Sequence, residues 1–207
     1  PSLCVFSGVA KTKGAIQKAL EYGIYCFNVE SASELNLIES VANDIGIKAP
    51  ISIRVNPNVD AKTHPYISTG LTENKFGVGA DIALSLYKKA SNSPHLDICG
   101  LDYHIGSQIT DVIPFIEALD KALELIEELK AEKINLRHID IGGGVGIKYN
   151  YEKTINIEKY IQSVLDKVGG LQVLIEPGRS IIGNAGIFVT KVEHLKQNNS
   201  KLSLIHI

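Results

Sequence analysis

Three short stretches of this 207-residue chain combine residue types that can bind an anion or exchange a proton. The first carries a carboxylate and a guanidinium around a Pro-Gly turn, from Glu176 to Arg179. The second joins a histidine to a serine, from His104 to Ser107, and the third is the glycine triplet at 142–144. Glycine lets bare backbone amides approach an anion, and arginine suits a carboxylate or a phosphate. Taken alone, the triplet or the serine is more typical of an ordinary turn.

All three stretches follow an apolar run that is typical of a buried strand, and side chains alternate between the two faces of a strand. Alternation places Asp102 on the face of His104, while Arg54 and Asp140 reach the ends of two further runs. If these faces line a barrel, its mouth holds one arginine, three carboxylates and a histidine: Arg54, Asp102, His104, Asp140 and Glu176. Such a group is either a buried ion cluster or a site, and its position at strand ends favours a site. We therefore predict that the three stretches converge on one phosphate-bearing cofactor.

The elements that must position these residues alternate between strand and helix. Strands are predicted at residues 3–6, 25–29, 51–55, 99–104, 137–141 and 171–175, with a further strand at 187–192 that leaves the pattern. Helices are predicted at 12–22, from a Ser31-x-x-Glu34 capping box onward, and at 80–90, 111–133 and 156–168. Six strands separated by helices favour parallel β/α units, whose sites lie at the carboxyl ends of the strands. A doubly wound sheet and a (β/α)8 barrel without its first two units both fit this pattern.

Composition argues against several classes of partner. The formal net charge of −2 provides no basic surface for nucleic acid, and no apolar run approaches the ~20 residues of a membrane helix. The three cysteines lack the spacing of a metal site, so we expect reduced thiols, no metal and a cytoplasmic protein. The chain contains no methionine and starts with Pro1, which we interpret as the sequence of an internal fragment.

Several motifs resemble the diaminopimelate decarboxylase family, in that family's order and over all but the last few residues. They are Val5–Thr12, Phe27–Ser31, Arg54–Pro57, His64–Gly70, Lys75–Gly77, His104–Ser107, Gly142–Gly144 and Glu176–Arg179. The last two are shared with related decarboxylases that act on ornithine, arginine or carboxynorspermidine. The motif at 64–70 points more narrowly to diaminopimelate.

The resemblance implies a partial alanine-racemase-like (β/α)8 TIM barrel, roughly its strands 3–8, that binds pyridoxal 5′-phosphate. It implies a parent enzyme that releases carbon dioxide from meso-diaminopimelate to leave lysine, and a homodimer for the full-length parent. By resemblance, Glu176 hydrogen-bonds the pyridine nitrogen, so that the ring accepts the electrons left by decarboxylation, and His104 stacks on the ring. Arg54 corresponds to a residue near the phenolic oxygen of the cofactor.

The resemblance also implies which residues hold the phosphate. These cofactor ligands come from three turns: Ser107, Gly142, Gly143, Gly144, Pro177, Gly178 and Arg179. Arg179 additionally resembles a ligand of the substrate carboxylate. Glu176 and His104 are the predicted catalytic residues of this site.

Two parts of the family's pattern have no counterpart. The lysine that carries the cofactor as a Schiff base lies in a Tyr-Ala-x-Lys-Ala-Asn-like segment, whereas Lys11 and Lys75 belong to other motifs. The C-terminal β-domain is also missing. We therefore assign residues 1–186 to an N-terminally truncated cofactor-binding barrel domain and 187–207 to the start of a connection to that β-domain. Residues 201–207 depart from the family and are open to interpretation as a sequencing or cloning artefact. We predict that the chain alone is inactive.

Two other functions fit part of the sequence. A barrel glycosidase would use the carboxylates of Asp102, Asp140 and Glu176, but it explains neither the glycine turns nor Arg179. A non-catalytic barrel that binds pyridoxal phosphate suits the missing lysine, although carriers of that fold keep the lysine.

Overall fold

The computed structural model describes residues 1–60, 75–151, 153–187, 189–198 and 201–206. Within them, six parallel strands form one sheet in chain order: β1 Val5–Phe6, β2 Cys26–Val29, β3 Ala49–Arg54, β4 Leu96–Asp102, β5 His138–Asp140 and β6 Gln172–Leu174. The helices are α1 Lys13–Glu21, α2 Ala32–Ile45, α3 Ala80–Ser91, α4 Ile113–Ala131, α5 Ile157–Leu165 and α6 Arg179–Ile182. The predicted alternation of strand and helix is confirmed, with element ends shifted by a few residues.

The sheet is curled into an incomplete barrel. β1 pairs with β2 and β6 pairs with β5, and the two edge strands do not pair with each other. Nevertheless Ser7, which follows β1, donates a hydrogen bond of 2.7 Å to Glu176, which follows β6. Neighbouring strands lie ~4.8 Å apart, so a flat sheet would separate these edges by roughly 24 Å. This contact and the unbroken strand order identify a partial (β/α)8 barrel, because the strand order of a doubly wound sheet reverses.

Alternation along the strands separates a hydrophobic layer from a polar interior. On β3, Ile53 is fully buried in the core that the sheet shares with the helices, whereas the next residue, Arg54, lies on the opposite face. Arg54 is in register with Asp102 on β4, and Asp102 is in register with Asp140 on β5. Three ionisable residues therefore lie at one level inside the barrel, at the carboxyl ends of their strands.

The start of α2 contains half of the predicted capping box. The Ser31 hydroxyl accepts a hydrogen bond of 3.2 Å from the Glu34 N–H. The Glu34 carboxylate, however, accepts from the Glu30 N–H at 3.3 Å and from the Lys11 ammonium at 2.8 Å. A buried ammonium requires a counter-ion, and Glu34 supplies it. The loop after β1 is thereby fixed to α2.

The C-terminal part departs from the predicted pattern. The strand expected at 187–192 instead begins at Val192, where β7 (Val192–Asn198) pairs antiparallel with β8 (Lys201–His206) in a sheet of its own. The assignment of 187–207 to a connection between domains stays a prediction. The motif at 64–70 lies outside the described residues. Among the helices of the described ranges, none is long and apolar enough to cross a membrane.

Candidate functional site

Three carboxylates meet at the carboxyl edge of the barrel and form a carboxylate cluster: Asp102, Asp140 and Glu176. One oxygen of each lies within 4.8 Å of the others. Asp102 and Asp140 end neighbouring strands in register, and Glu176 shares a strand face with Leu174, the last residue of β6. The structure thus brings together the carboxylates that strand alternation places on one face.

Two members of the cluster are almost completely buried but differ in their hydrogen bonds. Asp140 accepts from the Gly142 N–H at 3.0 Å and from the Asn28 side-chain amide at 3.4 Å. Asp102 has the Arg54 Nε 3.8 Å from its Oδ2, and its Oδ1 is buried with no hydrogen-bond partner among the described atoms. Of these two aspartates, Asp102 is therefore the one whose ionised form is stabilised by fewer hydrogen bonds.

Burial shifts the ionisation of both aspartates. Loss of solvent, followed by the charge of Asp140, raises the pKa of Asp102 well above its usual range, and the Arg54 cation only partly opposes this shift. Loss of solvent and the charge of Glu176 raise the pKa of Asp140 to about 6. A cluster of three neighbouring carboxyl groups therefore holds a proton in place of a third negative charge.

Glu176 is half-buried and receives its hydrogen bond from the opposite edge of the sheet. The Ser7 hydroxyl donates to Glu176 Oε1 at 2.7 Å, and the Ser7 Oγ accepts from the Asn28 side-chain amide at 2.9 Å. Glu176 is consequently oriented by residues that follow β1 and lie on β2. Sequence reasoning assigned no role to either residue.

Arg54 is held in place by Glu30, which follows β2. The Glu30 carboxylate accepts from Arg54 Nη1 at 2.9 Å and from the Gly77 N–H at 2.8 Å. The Phe76 ring lies 5.0 Å from the Arg54 guanidinium carbon. Glu30 thus connects the Lys75–Gly77 motif to Arg54, the residue predicted to lie near the phenolic oxygen of the cofactor.

His104 lies on the same interior face as Asp102 and has a defined tautomer. Its Nδ1 accepts a hydrogen bond of 3.1 Å from the Gly143 N–H, so the proton of the neutral ring is on Nε2. Burial, followed by the nearby Arg54 cation, lowers the pKa of His104. The imidazole is therefore a neutral, fixed ring beside the cluster.

The glycine triplet is required by the close approach of backbone segments. A Cβ on Gly143 would lie 2.1 Å from the Glu176 carbonyl oxygen, and one on Gly144 would lie 2.2 Å from the Gly106 carbonyl oxygen. The N–H groups of Gly142 and Gly143 are engaged by Asp140 and His104. Among the described residues, only Gly144 of the triplet has an N–H without an acceptor. The prediction that all three amides hold phosphate remains untested, and Gly144 is the member free to do so.

The turn after β6 offers further donors. The N–H groups of Gly178 and Arg179 have no acceptor in the described part of the chain, and Gly178 is exposed. Arg179 Nη1 donates to Gln108 Oε1 at 3.2 Å, which ties this turn to the loop that carries Ser107. Ser107 itself is half-buried and directly precedes Gln108 in sequence. Its predicted role, like that of the exposed Pro177, stays a prediction.

Four polar residues at the site were missed as site residues: Ser7, Lys11, Asn28 and Glu30. Lys11 is buried and its ammonium contacts the carbonyl oxygens of Gly8 and Asn28 as well as Glu34. All four lie within motifs of the family resemblance, at or just after the ends of β1 and β2. Their position near strand ends, within these motifs, was the sequence signal that could have identified them as site residues. Their partners depend on the curl of the sheet.

Two cavities adjoin the site without containing its ionisable centre. One, of about 260 Å³, lies beside Gly142 and Gly143 and is lined mainly by apolar residues such as Ile161 and Ile181. The other, of about 430 Å³, lies between the end of β3 and α4, with Asn56 among its lining residues. Neither is lined by Glu176 or His104.

Residues 1–183 match the sequence model of the pyridoxal binding domain of pyridoxal-dependent decarboxylases. The diaminopimelate decarboxylase of Vibrio cholerae is 52% identical over 204 residues, which cover 97% of this chain and 49% of the relative. That of Pseudomonas aeruginosa is 48% identical over 203 residues, with the same coverage. The chain therefore spans about half the length of the curated relatives it matches.

Solved structures of decarboxylases also resemble this chain. Diaminopimelate decarboxylase from Helicobacter pylori, complexed with L-lysine, matches this chain with a TM-score of 0.86 and 46% sequence identity. The match covers 98% of this chain and 51% of the Helicobacter pylori chain. The lysine/ornithine decarboxylase from Vibrio vulnificus, complexed with putrescine, has a TM-score of 0.72 and 24% identity, a likeness that shows the fold alone.

Proposed function

Since this chain belongs to the family of pyridoxal-dependent decarboxylases, we propose that it is the cofactor-binding barrel of an enzyme that decarboxylates meso-diaminopimelate to lysine. The proposed substrate rests on sequence identity: about half of the residues, over 97% of the chain, are identical to those of diaminopimelate decarboxylases. Identity to a lysine/ornithine decarboxylase is only 24%. Membership of this family also sets aside the glycosidase interpretation of the three carboxylates.

The donor set at the barrel mouth fits pyridoxal phosphate. A carboxylate suits a protonated ring nitrogen, and Glu176 has one oxygen bound by Ser7 and a second without a partner among the described residues. Backbone N–H groups beside an arginine suit a phosphate, and Gly144, Gly178 and Arg179 offer them. The neutral ring of His104 follows β4, the strand next to β5, and its Nδ1 accepts from Gly143 of the glycine triplet.

Each of these residues has a separable task. When bound, pyridoxal phosphate supplies an electron sink for the electron pair left on the α-carbon as carbon dioxide departs. Glu176 keeps a proton at the ring nitrogen, and Gly144, Gly178 and Arg179 hold the phosphate. The proton held by the carboxylate cluster limits the negative charge beside the substrate's carboxylates. Arg54, fixed by Glu30, supplies positive charge at the same level.

The surroundings of Lys11 and Lys75 support the expectation that this chain alone does not turn over substrate. Lys11 is buried, and its ammonium is surrounded by three oxygen acceptors, so it is not available as a free amine. Lys75 is exposed and contacts the Phe76 ring at 5.1 Å. Assays of lysine formation from meso-diaminopimelate should therefore show no turnover by the purified 207-residue chain. Any lysine formed above background contradicts this prediction.

Equilibrium dialysis tests the proposed function directly. The wild-type chain should bind pyridoxal phosphate saturably, and Glu176→Ala should still bind it, because the phosphate donors remain. In the whole protein, Glu176→Ala should abolish decarboxylation of meso-diaminopimelate. The absence of saturable binding by the wild-type chain, or decarboxylation by Glu176→Ala within a few-fold of wild type, contradicts the proposal.

Two expectations accompany this proposal. A cytoplasmic location agrees with the three free cysteines, two of which are buried. A homodimer is the assembly expected of the full-length enzyme. Sedimentation of the whole protein tests the second expectation, since a monomer at all concentrations contradicts it.

A further inference from the structure

A directed chain of hydrogen bonds crosses the barrel mouth from β2 to the end of β6. The Asn28 side-chain amide donates to Ser7 Oγ at 2.9 Å, and Ser7 Oγ donates to Glu176 Oε1 at 2.7 Å. The three residues come from separate strands, and Ser7 and Glu176 are 169 positions apart in sequence. We call this chain of bonds the serine relay.

The chemistry of Asn28 fixes the direction of the relay. Its Nδ2 faces two acceptors, Ser7 Oγ and the Asp140 carboxylate, while its Oδ1 faces the Cys26 thiol at 3.9 Å. Reversing the amide would place its oxygen against the Asp140 carboxylate. Because the Ser7 oxygen accepts from Asn28, its single proton is directed to Glu176.

The relay is held by buried groups rather than by surface contacts. Asn28 is fully buried. Its backbone carbonyl oxygen and that of Gly8, the residue after Ser7, both accept from the Lys11 ammonium. Lys11 is itself paired with Glu34 at the start of α2. The loop after β1, which carries Ser7, and the end of β2, which carries Asn28, are therefore fixed to one buried cation.

We propose that Ser7 and Asn28 are positioning residues for the cofactor, which engage one oxygen of Glu176 and leave the other to receive the ring-nitrogen proton. This inference rests on the proposed function. The Ser7 hydroxyl satisfies Oε1 and restricts rotation of the carboxylate.

The test compares pyridoxal phosphate with its analogue that has C–H in place of the ring nitrogen, by equilibrium dialysis with the 207-residue chain. Ser7→Ala should weaken binding of pyridoxal phosphate about tenfold, the effect of one charge-assisted hydrogen bond. It should change binding of the analogue less than about twofold, because the analogue offers Glu176 no proton. Ser7→Thr, which keeps the hydroxyl, should restore the affinity for pyridoxal phosphate.

Two further variants separate the relay from general loss of structure. Asn28→Asp provides an acceptor where the relay needs a donor, so it should weaken pyridoxal phosphate binding although Ser7 is intact. Ser91→Ala, at an exposed hydroxyl that bonds only the Lys88 carbonyl oxygen among the described residues, should bind both compounds like wild type. In a Glu176→Gln background, Ser7→Ala should have less than about a twofold effect, since coupled residues are not additive.

The outcomes are distinguishable from failure of the proposed function. A wild-type chain that does not bind pyridoxal phosphate overturns the proposed function and this inference together. If the wild type binds and Ser7→Ala weakens both compounds equally, Ser7 is only structural and the inference alone is overturned. Unchanged binding of pyridoxal phosphate by Ser7→Ala overturns it as well. Selective loss, with rescue by Ser7→Thr, supports it.

Discussion

At the residue scale, the cluster is shaped by unequal numbers of hydrogen-bond donors. Asp140 receives two N–H donors and Glu176 receives one hydroxyl. Asp102 has a guanidinium at 3.8 Å, beyond hydrogen-bond distance, and an unpartnered buried oxygen. Because three adjacent negative charges repel one another in a dry interior, the proton stays on the carboxyl group with the fewest donors. Asp102 is that group.

Asp102→Asn tests this assignment through the pH dependence of stability. Burial raises the pKa of Asp102 above the value of ~3.9 found in an unfolded chain. Its contribution to stability is therefore complete below about pH 4 and is lost as pH rises through the folded-state pKa. The amide stays neutral and avoids this loss. The free energy of unfolding of Asp102→Asn relative to wild type should therefore rise with pH above about pH 4, where wild type loses this contribution. Urea denaturation measures it.

Asp97→Asn is the matched control, because the pKa of Asp97 is lowered whereas that of Asp102 is raised. The hydrogen bond from Arg137 lowers the pKa of Asp97, so its contribution is present above about pH 4 and is lost only as pH falls further. The stability difference between Asp97→Asn and wild type should therefore be constant from about pH 5 to 8. A constant difference for Asp102→Asn over the same range contradicts a protonated Asp102.

At the element scale, the glycine triplet packs β5 against the turn after β6. In Gly143→Ala, the added Cβ would lie 2.1 Å from the Glu176 carbonyl oxygen, so that turn must move. We expect destabilisation of roughly 1–3 kcal/mol from overpacking, with weaker binding of pyridoxal phosphate. Urea denaturation and equilibrium dialysis measure the two effects.

Gly14→Ala is the control for that prediction. Gly14 lies in α1, and a Cβ there meets nothing within 4 Å. The substitution should stabilise the chain by up to about 1 kcal/mol, because alanine favours a helix over glycine. If Gly143→Ala is also neutral or stabilising, the packing argument for the triplet is wrong.

The Lys11–Glu34 pair joins α2 to the loop after β1, and both side chains are buried. Lys11→Met leaves the Glu34 carboxylate without its counter-ion, which should cost roughly 3–5 kcal/mol of unfolding free energy. Lys13→Met removes an exposed pair with Asp44 and should cost less than about 1 kcal/mol. Thermal or urea unfolding compares the two. Equal costs contradict a structural role for the buried pair.

The sequence predicted the elements better than the contacts between them. Period-two and helical patterns locate the strands and helices because each depends on nearby residues. The capping box at Ser31 was only half correct, since the Glu34 carboxylate accepts from the Glu30 N–H and from Lys11 on the loop after β1. The Ser7–Glu176 bond depends on the curvature of the whole sheet. Curvature leaves no local signal in the chain, so the partners of Glu176 were not predictable from the pattern around it.

At the scale of the whole molecule, curling brings the ends of β1 and β6 together without pairing their backbones. Asn28 on β2 reaches Asp140 on β5, and Ser7 after β1 reaches Glu176 after β6. The interior is therefore linked by side chains across the site. In the described residues, each edge strand keeps one side without a strand partner. The same architecture that assembles the site leaves strand edges exposed.

The open β6 edge predicts self-association of this chain. Unpaired strands and adjoining apolar surface favour contacts between molecules. Apolar side chains on the helices that flank this edge are exposed: Ile157, Ile181 and Ile182 are 55%, 70% and 66% accessible. Sedimentation velocity of the wild-type chain should show a weight-average mass that rises with concentration. The double variant Ile181→Lys/Ile182→Lys should stay closer to monomeric, because two charges oppose burial of that surface.

The matched control replaces an exposed isoleucine far from this edge. Ile82 on α3 is 48% accessible, so Ile82→Lys adds the same kind of charge without altering the β6 face. It should associate like wild type. If Ile82→Lys reduces association as much as the double variant does, added charge alone explains the effect. If the wild-type chain is monomeric at every concentration, the exposed edge does not drive association. Only selective loss of association in the β6 variant identifies this face as the contact.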